Sequence, residues 1–313
     1  MKMKGLLLLL LGVLVASCST ASLSVFQFDQ LSPATISLPQ EIKHVAIVDR
    51  LNDSIGVGKQ ALPVKSKVVA EQLGIFLADA DYFDDVILCD SDASAIDRND
   101  SIISPLSHTA VKELTQDLNA NMLITIENIS VKALGSLYMP MAETKALARV
   151  YLPSRQGVFR SMAVSDTISW DFIGTRTLES ICDDVAVYIA EKFSRQLAPY
   201  WEMTERVYYT GGNAYFRDAD FFIQQGDWET AVEQWEEYLK QAKGLSKQQT
   251  RFNLILAKEM MGDVEGAYKD CLALLPECKP ESHLAALTLH YSVVLKNRIT
   301  SHQTLNLQLQ RFE

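Results

Sequence analysis

Hydrophobic residues between positions 41 and 209 follow two spacings, one typical of β-strands and one typical of helices. Short β-branched runs and alternating segments predict strands at residues 42–48, 86–89, 122–131, 143–152 and 160–170, with a further strand at 206–209. Apolar residues three or four positions apart predict helices at residues 64–79, after the cap residue Ser107 up to position 118, and at 177–197. This order predicts a mixed α/β sheet domain with helices against one face.

After residue 210 the pattern becomes helical, and it contains a repeat. The segment Gly226-Asp227-Trp228-Glu229-Thr230-Ala231 recurs 36 residues later as Gly262-Asp263-Val264-Glu265-Gly266-Ala267. A fixed period of this size is typical of helical pairs that stack on one another. The predicted fold class is therefore α+β, with an N-terminal sheet domain at residues 41–209 followed by an all-α repeat domain at residues 210–313.

The residue types of this repeat suit a turn between two antiparallel helices. The glycines allow a tight turn, the aspartates cap the helix that follows, and the small alanines let paired helices approach closely. The residues that carry the pattern are Gly226, Asp227, Trp228, Ala231, Gly262, Asp263 and Ala267. Together with the apolar stretch at 253–257, they resemble a tetratricopeptide repeat, and that resemblance implies a surface for a protein or peptide partner. The alternative is a plain helical bundle with a coincidental match.

The first eighteen residues have the pattern of a secretory leader. A short basic start at residues 1–4 precedes a leucine-rich run at 5–14, which is too short to span a bilayer. The ending Val15-Ala16-Ser17-Cys18 resembles the lipobox of bacterial lipoproteins. This resemblance implies that the leader region at residues 1–18 is cut immediately before Cys18 and that Cys18, the new N-terminus, is acylated. The alternative is an ordinary secreted protein. Residues 19–40 are rich in Ser, Thr, Ala and Pro, and we expect them to form an extended tether.

The charge balance limits the possible partners. The chain carries 39 acidic against 29 basic residues, a formal net charge of −10 at pH 7. Such a surface repels nucleic acid and anionic lipid headgroups, so we expect no nucleic-acid partner. Attachment to a membrane is therefore expected to come from acyl chains on Cys18, because each buried methylene adds about 0.8 kcal/mol.

The remaining cysteines leave two possibilities open. An exported protein meets an oxidising environment, and Cys271 and Cys278 are close enough in sequence to form a disulfide. Alternatively, these two residues, with Cys89 and Cys182, are separate buried thiols among apolar neighbours.

The rest of the chain offers little catalytic chemistry. His283 and His290 stand seven positions apart, whereas two metal ligands on one helix usually stand four apart. Residues 56–59 contain two glycines and a lysine but lack the order of a phosphate-binding loop. Asp49 and Asp53 are the best candidates for an enzyme. We expect no catalytic residue, no cofactor and no metal site, and therefore no enzyme.

Two further resemblances concern the element order and the whole chain. The element order over residues 41–199 is similar to the α/β domain of the curli secretion subunit and of the activators of penicillin-binding proteins. The segments that connect the predicted strands, residues 134–141 and 153–159, are too short for the membrane-spanning hairpins of a pore. The whole chain resembles Bacteroidota lipoproteins of unknown function with tetratricopeptide-like C-termini. The lipobox, the repeats and the lack of a catalytic set favour a non-catalytic adaptor or scaffold of the cell envelope. Residues 19–22 lack the acidic stretch that resembles a surface-export signal, so we expect the periplasmic face of the outer membrane. The alternatives are an envelope hydrolase or a secretion-apparatus subunit.

Overall fold

The computed structural model describes residues 22–51, 61–89, 104–136, 139–170 and 177–310. It confirms the predicted α+β class and divides the chain into two compact units. The sheet unit consists of Leu31–Tyr200 together with residues 304–310. The helical unit consists of Trp201–Gln303 together with residues 22–30.

Strands dominate the first unit and helices the second. The strands are β1 (Ser22–Ser32), β2 (His44–Asp49), β3 (Asp85–Cys89), β4 (Met122–Ser136), β5 (Met139–Tyr151), β6 (Arg160–Ser169) and β7 (Tyr200–Thr210). The helices are α1 (Ser66–Asp79), α2 (His108–Asp117), α3 (Leu178–Leu197), α4 (Ala214–Gln224), α5 (Trp228–Leu239), α6 (Gly244–Met260), α7 (Val264–Leu274) and α8 (His283–Leu309).

Five strands of the sheet unit pair in the order β3-β2-β4-β5-β6. β2 runs parallel to β3 and β4, whereas β5 is antiparallel to β4 and to β6. β2 lies inside the sheet because its residues Val45, Ala46 and Ile47 are apolar and fully buried, as expected for a parallel strand that is covered on both faces.

Helices cover both faces of this sheet near β2. α1 and α3 pack on the face that carries Val45 and Ile47. α2 packs with Val111 on the face that carries Ala46 and Val48, since successive strand residues point to opposite faces. The prediction that helices would cover one face only is therefore wrong at this end of the sheet.

β1 and β7 pair with each other in a separate two-stranded sheet. The predicted tether at residues 19–40 is therefore wrong over Ser22–Ser32, which forms β1. The alternation of Phe26 and Phe28 with polar neighbours is a strand signal that the serine-rich composition obscured. The strand predicted at 206–209 is the last part of β7, and it pairs with β1 instead of joining the larger sheet.

The helical unit contains two successive helical hairpins, α4 with α5 and α6 with α7. Gly226 and Gly262 lie at the two hairpin turns with φ of 76° and 92°, a region that residues with a side chain rarely adopt. The carboxylates of Asp227 and Asp263 each accept a hydrogen bond from the amide three residues later, at 3.0 and 2.9 Å. These bonds satisfy free amides at the starts of α5 and α7, so the two turns share one geometry.

The core of the helical unit lies between the hairpins and α8. Its largest fully buried side chains include Trp235 and Phe252, and Ala231 and Ala267 are also fully buried where the helices of each hairpin meet. In the part of the chain that the structure describes, every helix is too short or too polar to cross a membrane.

Candidate functional site

The strongest candidate site is a groove of about 430 Å³ on the helical unit, between α5 and α6 and closed at one side by α7. We call it the α5–α6 groove. It is lined by Val232, Glu236, Leu239, Arg251, Leu254, Ile255, Lys258, Met261 and Asp270. Its volume falls in the range of ordinary ligand pockets, roughly 300–1,000 Å³.

Helical spacing explains why these side chains share one groove. On α5, Val232, Glu236 and Leu239 follow one another at intervals of four and three, which places them on the same face. On α6, the lining residues from Arg251 to Met261 follow the same rule. Met261, which is 54% exposed, follows directly after the last residue of α6.

The charged residues of the groove are not equally compensated. Lys258 forms an ion pair with Asp270 at 2.5 Å, and Arg251 forms one with Glu277 at 2.5 Å. The Arg251 guanidinium lowers the pKa of the Glu277 carboxyl through a hydrogen bond and its charge. Among the described residues, no lysine or arginine nitrogen lies within 4.0 Å of the Glu236 carboxylate. The cations of the basic wall are therefore held in ion pairs within the chain, whereas Glu236 forms none among the described residues.

The repeat-motif residues build the hairpins but do not line the groove. Gly226, Asp227, Gly262 and Asp263 make the turns, and the two alanines lie in the core. The half-buried Trp228 packs edge-on against the Phe26 ring of β1, with centroids 4.9 Å apart. The groove residues were not predicted from the sequence, although the spacing of charged and apolar positions along α5 and α6 carries a signal for them.

A buried carboxylate holds α6 in place behind the groove. Glu259 follows the groove residue Lys258 on α6, and its side chain is fully buried. It accepts hydrogen bonds from the Arg206 Nε and Nη2 at 3.0 and 2.8 Å, from the Tyr291 hydroxyl and from Arg298. Because these partners come from β7 and α8, this Glu259 centre ties α6 to both elements.

The surroundings of the Glu259 centre set its protonation. Burial alone would raise the pKa of Glu259, but the hydrogen bond and charge of Arg206, with the bonds from Tyr291 and Arg298, lower it. Burial and the neighbouring carboxylate raise the pKa of Tyr291 well above its usual value. Both guanidinium groups lie over the Phe28 ring, at 5.3 and 5.4 Å from its centroid. Glu259 is ionised and fully engaged, which fits a structural role.

A second buried carboxylate lies in the sheet unit. Glu127 on β4 accepts hydrogen bonds from Arg50 at 3.0 Å, from the Thr125 hydroxyl at 2.8 Å and from the Tyr151 hydroxyl at 3.3 Å, and it forms an ion pair with Arg149. Burial raises the pKa of Tyr151. This Glu127 centre, like the Glu259 centre, combines one glutamate with two arginines and one tyrosine.

Asp49, one of the two best enzyme candidates, has local structural partners. Its Oδ2 accepts a hydrogen bond from the Ser66 hydroxyl at 2.6 Å, and its Oδ1 accepts one from the Leu51 amide at 2.9 Å. These bonds tie the end of β2 to the start of α1. Asp53 and residues 56–59 lie outside the described residues, as does Cys18.

Within the described ranges, histidines and cysteines do not come together in a metal site. His283 and His290 are exposed on α8, and no group of three His, Cys, Asp or Glu side chains within the described ranges is arranged to hold a metal ion. Cys271 and Cys278 are free thiols that donate to the carbonyl oxygens of Thr288 and Leu274. Burial raises the pKa of Cys271 to about 12.

Solved structures offer only distant likenesses. A PelC variant dodecamer from Paraburkholderia phytofirmans gives a TM-score of 0.30 at 15% identity over 56% of this chain and 99% of that chain. A minor lipoprotein from Acinetobacter baumannii gives 0.27 at 13% identity over 51% and 97%. A hypothetical protein from Chlamydia trachomatis gives 0.29 at 16% identity over 49% and 96%. These scores are too low to transfer a fold or a function.

Family models cover most of both units. No curated protein matches the chain. A model described as domain of unknown function DUF6340 matches residues 217–297, from within α4 through the second hairpin and into α8. A model described as domain of unknown function DUF8603 matches residues 42–209. Because this second match spans more than half of the chain, the protein belongs to the DUF8603 family.

Proposed function

We propose that this protein is a non-catalytic adaptor or scaffold of the cell envelope that docks a protein or peptide partner through its helical unit. The α5–α6 groove carries the proposal. It is open, largely apolar and bordered by charged side chains, which is how grooves that accept peptide helices are built.

The proposal includes a tetratricopeptide-like organisation of the helical unit, as in Bacteroidota lipoproteins. Two hairpins with the same Gly-Asp turn and cap support it. Stacked helical hairpins use their extended surfaces for binding, because each hairpin packs only on its neighbours and leaves its outer residues open.

It also includes a lipid anchor. The leader pattern at residues 1–18 supports acylation of Cys18, and residues 19–22 contain no acidic stretch that would direct export to the cell surface. We therefore propose attachment to the outer membrane at its periplasmic face. The test is radiolabelled palmitate: the natural chain takes up label, whereas the Cys18→Ala variant takes up none and leaves the membrane fraction. Label on the variant, or an uncut leader with a bare thiol, would contradict the anchor.

A non-catalytic role is supported by how one partly buried and two buried acids are used. Asp49, Glu127 and Glu259 each hold partners from their own unit in fixed hydrogen bonds. A general acid or base must instead reach a proton of the substrate.

Photo-crosslinking in intact cells tests the docking role. A crosslinking amino acid is placed at exposed apolar positions of the helical unit, Met261 and Leu289, and at the matched sheet-unit positions Ile75 and Leu178. We expect the helical-unit positions to capture a defined protein partner that the sheet-unit positions do not. Capture only from the sheet unit, or none from the helical unit, would contradict the proposal.

A further inference from the structure

We infer that the α5–α6 groove accepts an amphipathic helix of a partner protein, whose apolar stripe is flanked by lysine or arginine. This inference rests on the proposed function and specifies the chemistry of the partner. Three observations carry it: the matched spacing of the two groove walls, the charge of the acidic wall, and the hydrogen bonding of the backbone around the groove.

The two walls of the groove have the same arrangement of residues with opposite charge. On α5 the lining residues are Val232, Glu236 and Leu239, with steps of four and three. On α6 Leu254, Lys258 and Met261 follow one another with the same steps of four and three. Each wall therefore alternates a charged residue with an apolar one along a single helix face. An occupant with the same helical repeat would meet apolar and charged residues in alternation.

Of the two walls, only the acidic one has a charged lining residue, Glu236, that forms no ion pair among the described residues. Lys258 and Arg251 are already paired with Asp270 and Glu277. Glu236 is exposed in the last turn of α5, where a negative charge is unfavourable because the carbonyl ends of the helix are also negative. Lys240 forms an ion pair with the neighbouring Glu237 and acts on Glu236 only through its charge, since no cation lies within 4.0 Å of Glu236 among the described residues. A cation supplied by a partner would remove this unfavourable charge.

The backbone around the groove favours a helical occupant. Both walls are helices whose amides and carbonyls are bonded internally, so the groove offers no strand edge to an extended peptide. Ridges of a third helix can fit between two helices, with apolar side chains toward Val232 and Leu254. A basic flank also matches the chain's net charge of −10, which would attract the partner from a distance.

Model peptides provide the direct test. The lipidated full chain is reconstituted in phosphatidylcholine nanodiscs, and binding of labelled helical peptides is measured by fluorescence anisotropy, with empty nanodiscs subtracted. One peptide carries a leucine stripe flanked by lysines, and its counterpart has glutamate in place of every lysine. We expect the lysine peptide to bind at least about tenfold more tightly, because like charges across an interface are strongly disfavoured.

Two exposed glutamates on α5 supply a matched pair of variants. Glu236→Lys is expected to weaken the lysine peptide about tenfold and to restore binding of the glutamate peptide, because the charge relation in the groove is reversed. Glu233→Lys, at an exposed position on the same helix that does not line the groove, is expected to change both affinities by less than about twofold. Circular dichroism checks that both variants fold. Equal effects of the two substitutions, or no recovery with the glutamate peptide, would overturn the inference.

A second pair tests the apolar contribution. Met261 lines the groove and Leu245 does not, yet their side chains are similarly exposed, at 54% and 59%. Met261→Asp is expected to abolish peptide binding, and Leu245→Asp to leave it unchanged. If cellular crosslinking finds a partner that ignores Glu236→Lys and Met261→Asp, the docking role stands and this groove assignment fails. If the peptides follow the charge rule but no helical-unit position captures a protein, the groove chemistry stands and the proposed function fails.

Discussion

Each unit of this protein buries one glutamate between two arginines and one tyrosine, but the two centres serve different kinds of structure. Glu127 lies in a sheet that is already held by strand ladders and apolar layers on both faces. Glu259 ties the helix α6 to β7 and α8, and no strand ladder joins α6 to either of these elements. A buried charge therefore contributes most to stability where few other interactions fix the element that carries it.

Removing the two carboxylates is expected to have the largest effect. Glu259→Ala leaves Arg206 and Arg298 unpaired over the same Phe28 ring, and the Nε of Arg298 is already buried without a hydrogen-bond partner among the described residues. We expect a loss of about 3–5 kcal/mol in the free energy of unfolding of the helical unit. Glu127→Ala should cost less, about 3 kcal/mol, because Arg50 keeps its bond to the Ser104 carbonyl.

Hydrogen exchange during denaturation, assigned peptide by peptide, measures each unit separately. The glutamine variants at both positions are the controls, since they keep the side-chain volume and part of the hydrogen bonding. Equal losses in both units, or a loss for Glu259→Ala that appears in the sheet unit, would contradict the expected difference between the two centres.

Lowering the pH should have the next largest effect on stability, through the Glu259 centre. Its partners lower the pKa of Glu259 in the folded chain below the usual value of 4.5, so the unfolded chain binds the proton more tightly. The stability from this group is therefore complete above about pH 4.5 and is lost as the pH falls through the folded value. Exchange protection of α6 should fall in that window for the natural chain, and the fall should be smaller in Glu259→Gln. An identical acid response in both proteins would contradict the role of Glu259.

For the tyrosines we expect the larger loss of stability at the Glu127 centre, which is the reverse of the order for the glutamates. Tyr151 also accepts a hydrogen bond from the Leu106 amide at 3.2 Å, so Tyr151→Phe leaves a buried amide unsatisfied and should cost about 2–3 kcal/mol. Tyr291→Phe removes only its bond to Glu259 and should cost about 1.5 kcal/mol. Urea unfolding, followed by hydrogen exchange in each unit, compares the two. A larger loss for Tyr291→Phe would mean that the Leu106 amide finds another partner.

The sequence predicted the elements better than it predicted these centres. Strands and helices between residues 41 and 197 were recognisable because their periodicity is local. Glu127 and Glu259 each stand in an apolar run, and a lone acid in such a run is the signal that was available. Their partners could not be found, since Arg206 is 53 positions from Glu259 and Arg50 is 77 positions from Glu127. The predicted repeat motif, in contrast, depends on contacts within four residues.

Glycine substitutions are expected to change the stability of each unit by small amounts. Gly226→Ala and Gly262→Ala force a side chain into the left-handed region and should each destabilise the helical unit by about 1–2 kcal/mol. Gly74→Ala lies in helix α1 of the sheet unit, where the new methyl group would meet Ile47 at an ordinary 3.7 Å. It should stabilise that unit by about 0.5–1 kcal/mol, because alanine favours a helix interior over glycine. Thermal unfolding with exchange in each unit measures all three. Similar losses at Gly226 and Gly262 would follow from their shared turn geometry, whereas a loss at only one would mean that the two hairpins are not equivalent repeats.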